Sequence, residues 1–464
     1  MSAPFGDRPE VSGGRPGASV EAGPDGVYRS TVVRSRAVRA AFLTGIGSKV
    51  GTTALGLLSV GIAVRSVGNI EYGVITTLVG MVGMFGFLDF GIGNATIFDI
   101  SQLHARGDGI GIRKLNANSL LFLCSVALLI LIVVVPAALL VPPELLFTAP
   151  GVKVDQIRVA LVIFAVATAL AVPATLGSRL ALGIQKGFIN NYINLLSAVG
   201  VLGFVIAGSI YNGDLIFFVV SFLGLPVLMN AVQTIWMLKS EGARYSPAWN
   251  ALDFAMVKRL VSRGLPFMAL AFAGAATYQT DTVVVMYVVG AAGAATFGIL
   301  LRLFSGLSTL FSGGLQQMWA STAHALADGD MQWVRRSFRR TFSITMGFYA
   351  AASIALIAGG RLLIEIWAGP SVVPQLNLVL AFAAWNIYSF GMSQLSMLLN
   401  GANRVRVQAL TACLMALANV PLTIGLAKMI GLPGPLYASL ISHILFVGVP
   451  TVVMVRRLLR RSEA

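Results

Sequence analysis

Four ionisable side chains lie inside long apolar stretches of the sequence: Lys49, Asp89, Asp281 and Arg302. An ionisable group at the centre of a bilayer costs about 2.5–3.5 kcal/mol on insertion scales, so each of these needs a partner or a role. At about 1.5 Å of rise per residue, Lys49 and Asp89 have similar depths, as do Asp281 and Arg302. Two hypotheses stay open. Buried ion pairs could join adjacent helices, or these side chains could line a polar cavity that binds an anion and exchanges a proton or sodium.

Polar side chains accompany both aspartates. Asn94 lies on the helix predicted for Asp89, and Tyr278 and Gln279 precede Asp281 closely. We include these three residues in the candidate cavity. Neighbouring threonines are weaker evidence, because a threonine hydroxyl in a membrane helix often bonds its own backbone.

The elements that position these residues are apolar helices. Hydrophobic residues make up 56% of the 464-residue sequence and charged residues 11%, which leaves too little polar surface to cover a soluble globule. Apolar runs of bilayer length predict an all-α polytopic membrane protein with about 12 transmembrane helices. The predicted spans are 37–64, 73–98, 118–141, 158–182, 192–212, 215–238, 264–289, 292–322, 342–363, 372–399, 405–427 and 433–455.

The net charge of +15 is mainly a topology signal. Most Lys and Arg residues fall in alternate connectors, which predicts that both termini are cytoplasmic. Arg179, Lys186 and Arg404 lie at cytoplasmic ends of spans. The last two are positive-inside anchors or contacts for lipid phosphate. Scattered basic residues in short loops do not form a nucleic-acid-binding face.

The connectors divide the chain. Residues 1–36 are rich in Pro and Gly and have no apolar run, which predicts a disordered cytoplasmic tail. Residues 239–263 mix basic and apolar positions, which predicts an amphipathic linker on the cytoplasmic leaflet. This linker separates two six-helix lobes, 37–238 and 264–457, and a basic cytoplasmic tail follows at 458–464. Two blocks of six spans are typical of an internally duplicated transporter.

Motifs for soluble-enzyme chemistry are lacking in the sequence. The three histidines, His104, His324 and His443, are isolated from one another and have no partner at metal-ligand spacing. Gly91-Ile92-Gly93 follows an apolar helix rather than a strand, so it does not indicate a nucleotide loop. We therefore predict neither an enzyme nor a cofactor, apart from coupling to H⁺ or Na⁺.

Several segments together resemble a known family. Glu71–Val74 followed by Phe87–Ala95 resembles the second-span signature of bacterial polysaccharide flippases, the O-antigen and exopolysaccharide exporters of the multidrug/oligosaccharidyl-lipid/polysaccharide (MOP) superfamily. Further segments follow in the family's order, over about 37–457. They are Arg263–Pro266, Thr280–Val285 and Thr296–Leu303.

The resemblance implies a MATE-like fold of two pseudo-symmetric lobes in the bacterial cytoplasmic (inner) membrane. It implies alternating-access transport of an undecaprenyl-pyrophosphate-linked oligosaccharide to the periplasmic leaflet, with membrane lipids and polysaccharide polymerase or export machinery as further partners. Lys49 and Arg302 would contact phosphate or acidic sugar. Asp89 and Asp281 would position those cations or couple an ion gradient.

Two alternative functions stay open, one within the same superfamily and one in a different functional class. A multidrug cation antiporter of the same superfamily would need carboxylates and aromatic side chains for an organic cation, whereas here each acid has a base at its depth. A membrane glycan polymerase or ligase would need an external reaction site. The longest external connector, 142–157, carries little material for one.

Overall fold

The computed structural model describes residues 24–240, 244–327, 330–401 and 405–460. Within these ranges every regular element is helical, which fulfils the all-α prediction. In hydrocarbon a backbone must satisfy its own hydrogen bonds, so helices are the expected outcome for such apolar runs. Residues Thr44–Ala464 cluster as one compact unit, and the division into two lobes stays a prediction.

Sixteen α-helices follow one another along the described residues. They are α1 Pro24–Met84, α2 Ile92–Ala105, α3 Gly109–Leu140, α4 Val154–Ala174, α5 Leu176–Gly183, α6 Phe188–Ile210, α7 Leu215–Val219, α8 Leu225–Lys239, α9 Phe254–Tyr278, α10 Thr280–Val288, α11 Ala291–Ala327, α12 Met331–Ala368, α13 Leu376–Gly401, α14 Val405–Ile430, α15 Gly434–His443 and α16 Val449–Arg460. Short π-helical turns, 220–224 and 444–448, join α7 to α8 and α15 to α16.

Ten stretches of the described residues are long and apolar enough to cross a membrane. One of them, Gly47–Asp89, covers most of the first two predicted spans, because α1 is two helices joined at Gly68, whose φ is +82°. The predicted seventh span, 264–289, begins within α9 and continues through α10. The chain is therefore a multi-pass membrane protein, and the π-helical turns fall in its sixth and twelfth predicted spans.

The N-terminal end of α1 differs from the prediction. Helix α1 begins at Pro24, inside the segment 1–36 that we predicted to be a disordered tail. The Pro and Gly residues behind that prediction end at Gly26, and the next glycine is Gly45. Proline at the first position of a helix is favourable, because its missing N–H has no partner there anyway. Residues 1–23 lie outside the described part of the chain.

The connection between α8 and α9 also differs from a surface helix over 239–263. Residues 244–253 form only a short 3₁₀ turn, Trp249–Ala251, and are tied to the start of α3, where Asn116 Nδ2 donates to the Tyr245 carbonyl at 2.8 Å. Helix α9 begins at Phe254, after an N-cap by Asp253, and continues into the span. The amphipathic pattern of 254–263 therefore belongs to the first turns of α9, the helix in which the predicted seventh span begins.

The N-terminal and C-terminal halves meet backbone to backbone where α2 and α9 cross. A Cβ atom on Gly91 would lie 2.1 Å from the carbonyl oxygen of Gly264, and one on Gly264 would lie 2.3 Å from that of Phe90. Small residues permit this approach, which is a common packing device between membrane helices. Close to the crossing, Arg263 Nη1 donates to Asp99 Oδ1 at 2.8 Å.

Candidate functional site

The helix of the second span is broken at Asp89. A 3₁₀ turn, Phe85–Asp89, ends there, and Phe90 and Gly91 have φ of +54° and +67° before α2 begins. Asp89 Oδ1 accepts from the Gly91 N–H at 2.8 Å. The carboxylate thus satisfies one of the backbone groups that a helix break leaves without a partner.

Arg179 of α5 makes the salt bridge of Asp89, where we expected Lys49. Its Nη2 donates to Asp89 Oδ2 at 2.6 Å, and its Nε donates to Thr175 Oγ1 at 3.1 Å. The two charged side chains are only 15% and 17% exposed. A short, charge-assisted bond in such surroundings compensates both charges. We call Asp89, Arg179 and Thr175 the Asp89 centre.

Arg179 is visible in the sequence as a candidate partner for Asp89, but the topology argument gave it another role. Arg179 lies near the end of a span, where we assigned it to the positive-inside anchors. The guanidinium passes over Gly93, where a Cβ atom would lie 1.0 Å from Nη1. Gly93 therefore leaves the space through which Arg179 reaches Asp89.

The second centre lies inside the C-terminal half, between α10, α14 and α15. Asp281 is 6% exposed, and its Oδ2 accepts from Ser439 Oγ at 3.3 Å. Ser442 Oγ donates to Asn419 Oδ1 at 2.8 Å. Asp281 Oδ1 and Thr423 Oγ1 are also buried; the Thr423 hydroxyl lies close enough to the carboxylate to interact with it, although neither atom has a hydrogen bond of normal geometry within the described residues. We call these five residues the Asp281 centre.

The Asp281 centre contains oxygen atoms and lacks a base. No salt bridge joins Asp281 to Arg302 in the described part of the chain, so the expected pairing of these two residues is wrong. An ionised carboxylate buried without a counter-charge is unfavourable, so these surroundings favour a protonated Asp281 or one that is neutralised by a cation. Carboxylate, hydroxyl and amide oxygens are the ligands that hard cations prefer. The centre is therefore chemically suited to a proton or a small hard cation.

Arg302 lies between the halves, on the face of α11 that contacts α1. Gly298, one turn before it, packs against Thr76. Gly306, one turn after it, packs against Thr53, whose Cγ2 would lie 3.0 Å from a Cβ atom on Gly306. Residues four apart on a helix share a face. Arg302 is exposed and close enough to Tyr72 to interact with it electrostatically. Its charge therefore faces the first-half helices and stays accessible.

Lys49 lies on the first helix of this same contact. It precedes Thr53 by one turn on α1 and so shares the side that faces Gly306. The two helices run in opposite directions, so Lys49 and Arg302 lie on opposite sides of the Thr53–Gly306 contact. Four residues on each helix give a separation along the helix axes of about 12 Å. Lys49 and Arg302 therefore lie at two levels of the contact between α1 and α11.

The remaining predicted residues are spread more widely. The side chain of Gln279 packs against Gly83 of α1, and its Cδ would lie 2.8 Å from a Cβ atom on Gly83. Lys186 is half-buried in the turn between α5 and α6, and its N–H donates to the Ala181 carbonyl at 2.8 Å. Arg404 and the side chains of Asn94 and Tyr278 lie outside the described part of the structure.

Comparison with known proteins gives one similar sequence and several similar folds. No family model matches the chain. A Yersinia pseudotuberculosis protein named "Putative O-antigen export protein" is 22% identical over 286 residues, which span 60% of this chain and 63% of that protein.

Two solved structures share the fold over most of their length. An inward-facing multidrug resistance MATE family transporter of the MOP superfamily has a TM-score of 0.70 at 15% identity, covering 89% of this chain and 96% of its own. The lipid II flippase MurJ in its inward closed conformation has a TM-score of 0.62 at 15% identity, covering 92% and 87%. The chain has the fold of the MOP superfamily transporters, and its sequence is similar to that of an O-antigen export protein.

Proposed function

We propose that this protein is a flippase for a lipid-linked oligosaccharide. It moves an undecaprenyl-pyrophosphate-linked repeat unit from the cytoplasmic to the periplasmic leaflet of the bacterial inner membrane by alternating access. The observation that carries the proposal is the exposed Arg302 on the face of α11 that contacts α1, in a chain with the MOP fold. The similarity to an O-antigen export protein supports the same substrate class.

The physical requirement of such transport is compensation of charge in oil. A pyrophosphate cannot enter hydrocarbon unaided, so its carrier must replace the lost hydration with cations and hydrogen-bond donors. Two cations about 12 Å apart along the helix axes would hold successive positions of one headgroup or of an acidic sugar. Because Arg179 is neutralised by Asp89, we assign it to the support of the broken helix instead.

The Asp281 centre would provide the coupling to an ion gradient. Binding of H⁺ or Na⁺ would neutralise Asp281, and release would leave a buried charge that favours rearrangement of α10, α14 and α15. A cation that binds one conformation better than the other shifts the equilibrium between them by that difference in affinity.

The test is a lipid-linked oligosaccharide assay in cells that lack this protein. Cytoplasm-facing intermediates should accumulate, and the wild-type gene should clear them. R302Q and K49Q should each reduce clearance by at least about tenfold, the equivalent of one lost charge-assisted contact of about 1.4 kcal/mol. R361Q is the matched control, because Arg361 is an exposed arginine of α12. If R302Q and K49Q are both present in the membrane at normal levels and clear the intermediates as well as the wild type does, the proposal is rejected.

A multidrug cation antiporter is the second candidate. The favouring observation is that Asp281 lacks a basic partner among the described residues, which removes our earlier argument that every acid is matched by a base. The same strain distinguishes the two functions. An antiporter would give a drug-sensitive phenotype that D281N fails to rescue, with unchanged glycan in every strain.

A further inference from the structure

The first turns of α12 carry four arginines on one side of the helix. Arg335, Arg336, Arg339 and Arg340 repeat at intervals of three and four residues, and such positions share a face. The opposite face, with Val334 and Phe338, packs against α13 and α16. The arginines border a surface groove of about 590 Å³. We call it the arginine groove, and it is lined by Gln332, Arg335, Arg336, Arg339, Arg340 and Ser343.

Three of the four arginines in this groove have no acidic partner among the described residues. Like charges four residues apart destabilise a helix, and Arg335–Arg339 and Arg336–Arg340 are two such pairs. Cations near a helix N-terminus are unfavourable as well. Arg335 donates to the carbonyl of Leu459, while Arg336, Arg339 and Arg340 make no salt bridge in the part of the chain that the structure describes. The groove is therefore suited to an external anion.

The groove continues into an apolar track along the same helix. Arg336, Arg340, Ile344 and Phe348 follow at intervals of four residues, so they lie along one side of α12. Ile344 is 61% exposed and Phe348 is 56% exposed. Exposed Trp333 lies at the polar end, as interfacial tryptophans do in membrane proteins. An anion that occupies both the arginine groove and the apolar track must carry hydrocarbon chains.

We propose that the arginine groove binds the headgroup of an anionic phospholipid from the leaflet that holds the start of α12. Its phosphates accept from Arg336, Arg339 and Arg340, and its acyl chains lie along Ile344 and Phe348. Guanidinium groups bind phosphate oxygens through paired N–H donors. Several guanidiniums in one groove favour a headgroup with two phosphates over one with a single phosphate. This lipid is a resident of the bilayer and is separate from any transported lipid.

The test is native mass spectrometry of the full-length protein titrated with cardiolipin, phosphatidylglycerol or phosphatidylcholine. Affinity should decrease in that order. Each basic residue near an anionic lipid surface is worth about 1 kcal/mol, so R339Q/R340Q should weaken cardiolipin binding by roughly 30-fold. R456Q/R457Q is the matched control, because Arg456 and Arg457 are a second exposed pair, and it should change binding by less than about threefold.

Two further arms decide what the groove recognises. R339K/R340K keeps the charge and removes the paired donors, so it should still lose affinity severalfold if phosphate is recognised. Equal losses in R339Q/R340Q and the control, or no loss in either, would overturn the proposal and leave these arginines as topology determinants. If R339Q/R340Q lowered binding of a polyprenyl diphosphate while cardiolipin bound as before, the groove would belong to the transported lipid, and the proposal would also fail.

Discussion

Replacing Arg179 by glutamine should destabilise the protein by leaving the Asp89 carboxylate buried without a counter-charge. Both side chains are less than a fifth exposed, so solvent screening is weak. Breaking a buried pair from one side costs about 3–5 kcal/mol. With an unfolding entropy of about 2.1 cal/mol/K per residue, the 464-residue chain loses roughly 1 °C of Tm per kcal/mol. We therefore expect R179Q to lower Tm by about 3–5 °C.

The assay is thermal unfolding of the detergent-solubilised protein, followed by tryptophan fluorescence at one scan rate. D89N should lower Tm comparably, because it strands the guanidinium. The double variant D89N/R179Q removes both charges and lets two amides bond, so it should lose about 2 °C less than the sum of the single variants. Additive losses would refute the reasoning, as would single variants with the Tm of the wild type.

Three further predictions use the same unfolding assay. G93A should behave like R179Q, because its Cβ would occupy the position of Arg179 Nη1, and a double variant G93A/R179Q should be no less stable than G93A alone. G264A should lower Tm by about 2 °C or more because of backbone overlap with Phe90, whereas G274A on the same helix, with open space around it, should be neutral. T423V should change Tm little without added sodium, because the buried Thr423 hydroxyl has no hydrogen bond of normal geometry, and it should reduce any sodium-dependent stabilisation; undiminished stabilisation by sodium would exclude Thr423 as a ligand.

The helical fold could be predicted from the sequence because a bilayer permits few alternatives. Apolar runs indicated the positions of the spans, because a backbone in hydrocarbon must satisfy its hydrogen bonds within its own helix. The amphipathic pattern of 254–263 was ambiguous, since a surface helix and the polar end of a spanning helix have the same period. Only the contacts of α9 distinguish the two.

The partners of the buried charges could not be identified from the sequence, for a geometric reason. Counting residues gives the depth of a side chain, but not the direction in which it points around its helix. Asp281 faces α14 and α15, while Arg302 faces α1, although their depths are similar. The break at Phe90 and Gly91 also changes the direction in which the Asp89 side chain points. No periodicity in the sequence indicates this break.

The salt bridge at the broken helix also constrains how the chain enters the membrane. Asp89 leaves the ribosome ninety residues before Arg179, and until then its carboxylate has no guanidinium beside it. Inserting it alone costs about 2.5–3.5 kcal/mol. Emergence of the fourth span, which carries Arg179, therefore supplies the counter-charge that the second span lacks during synthesis.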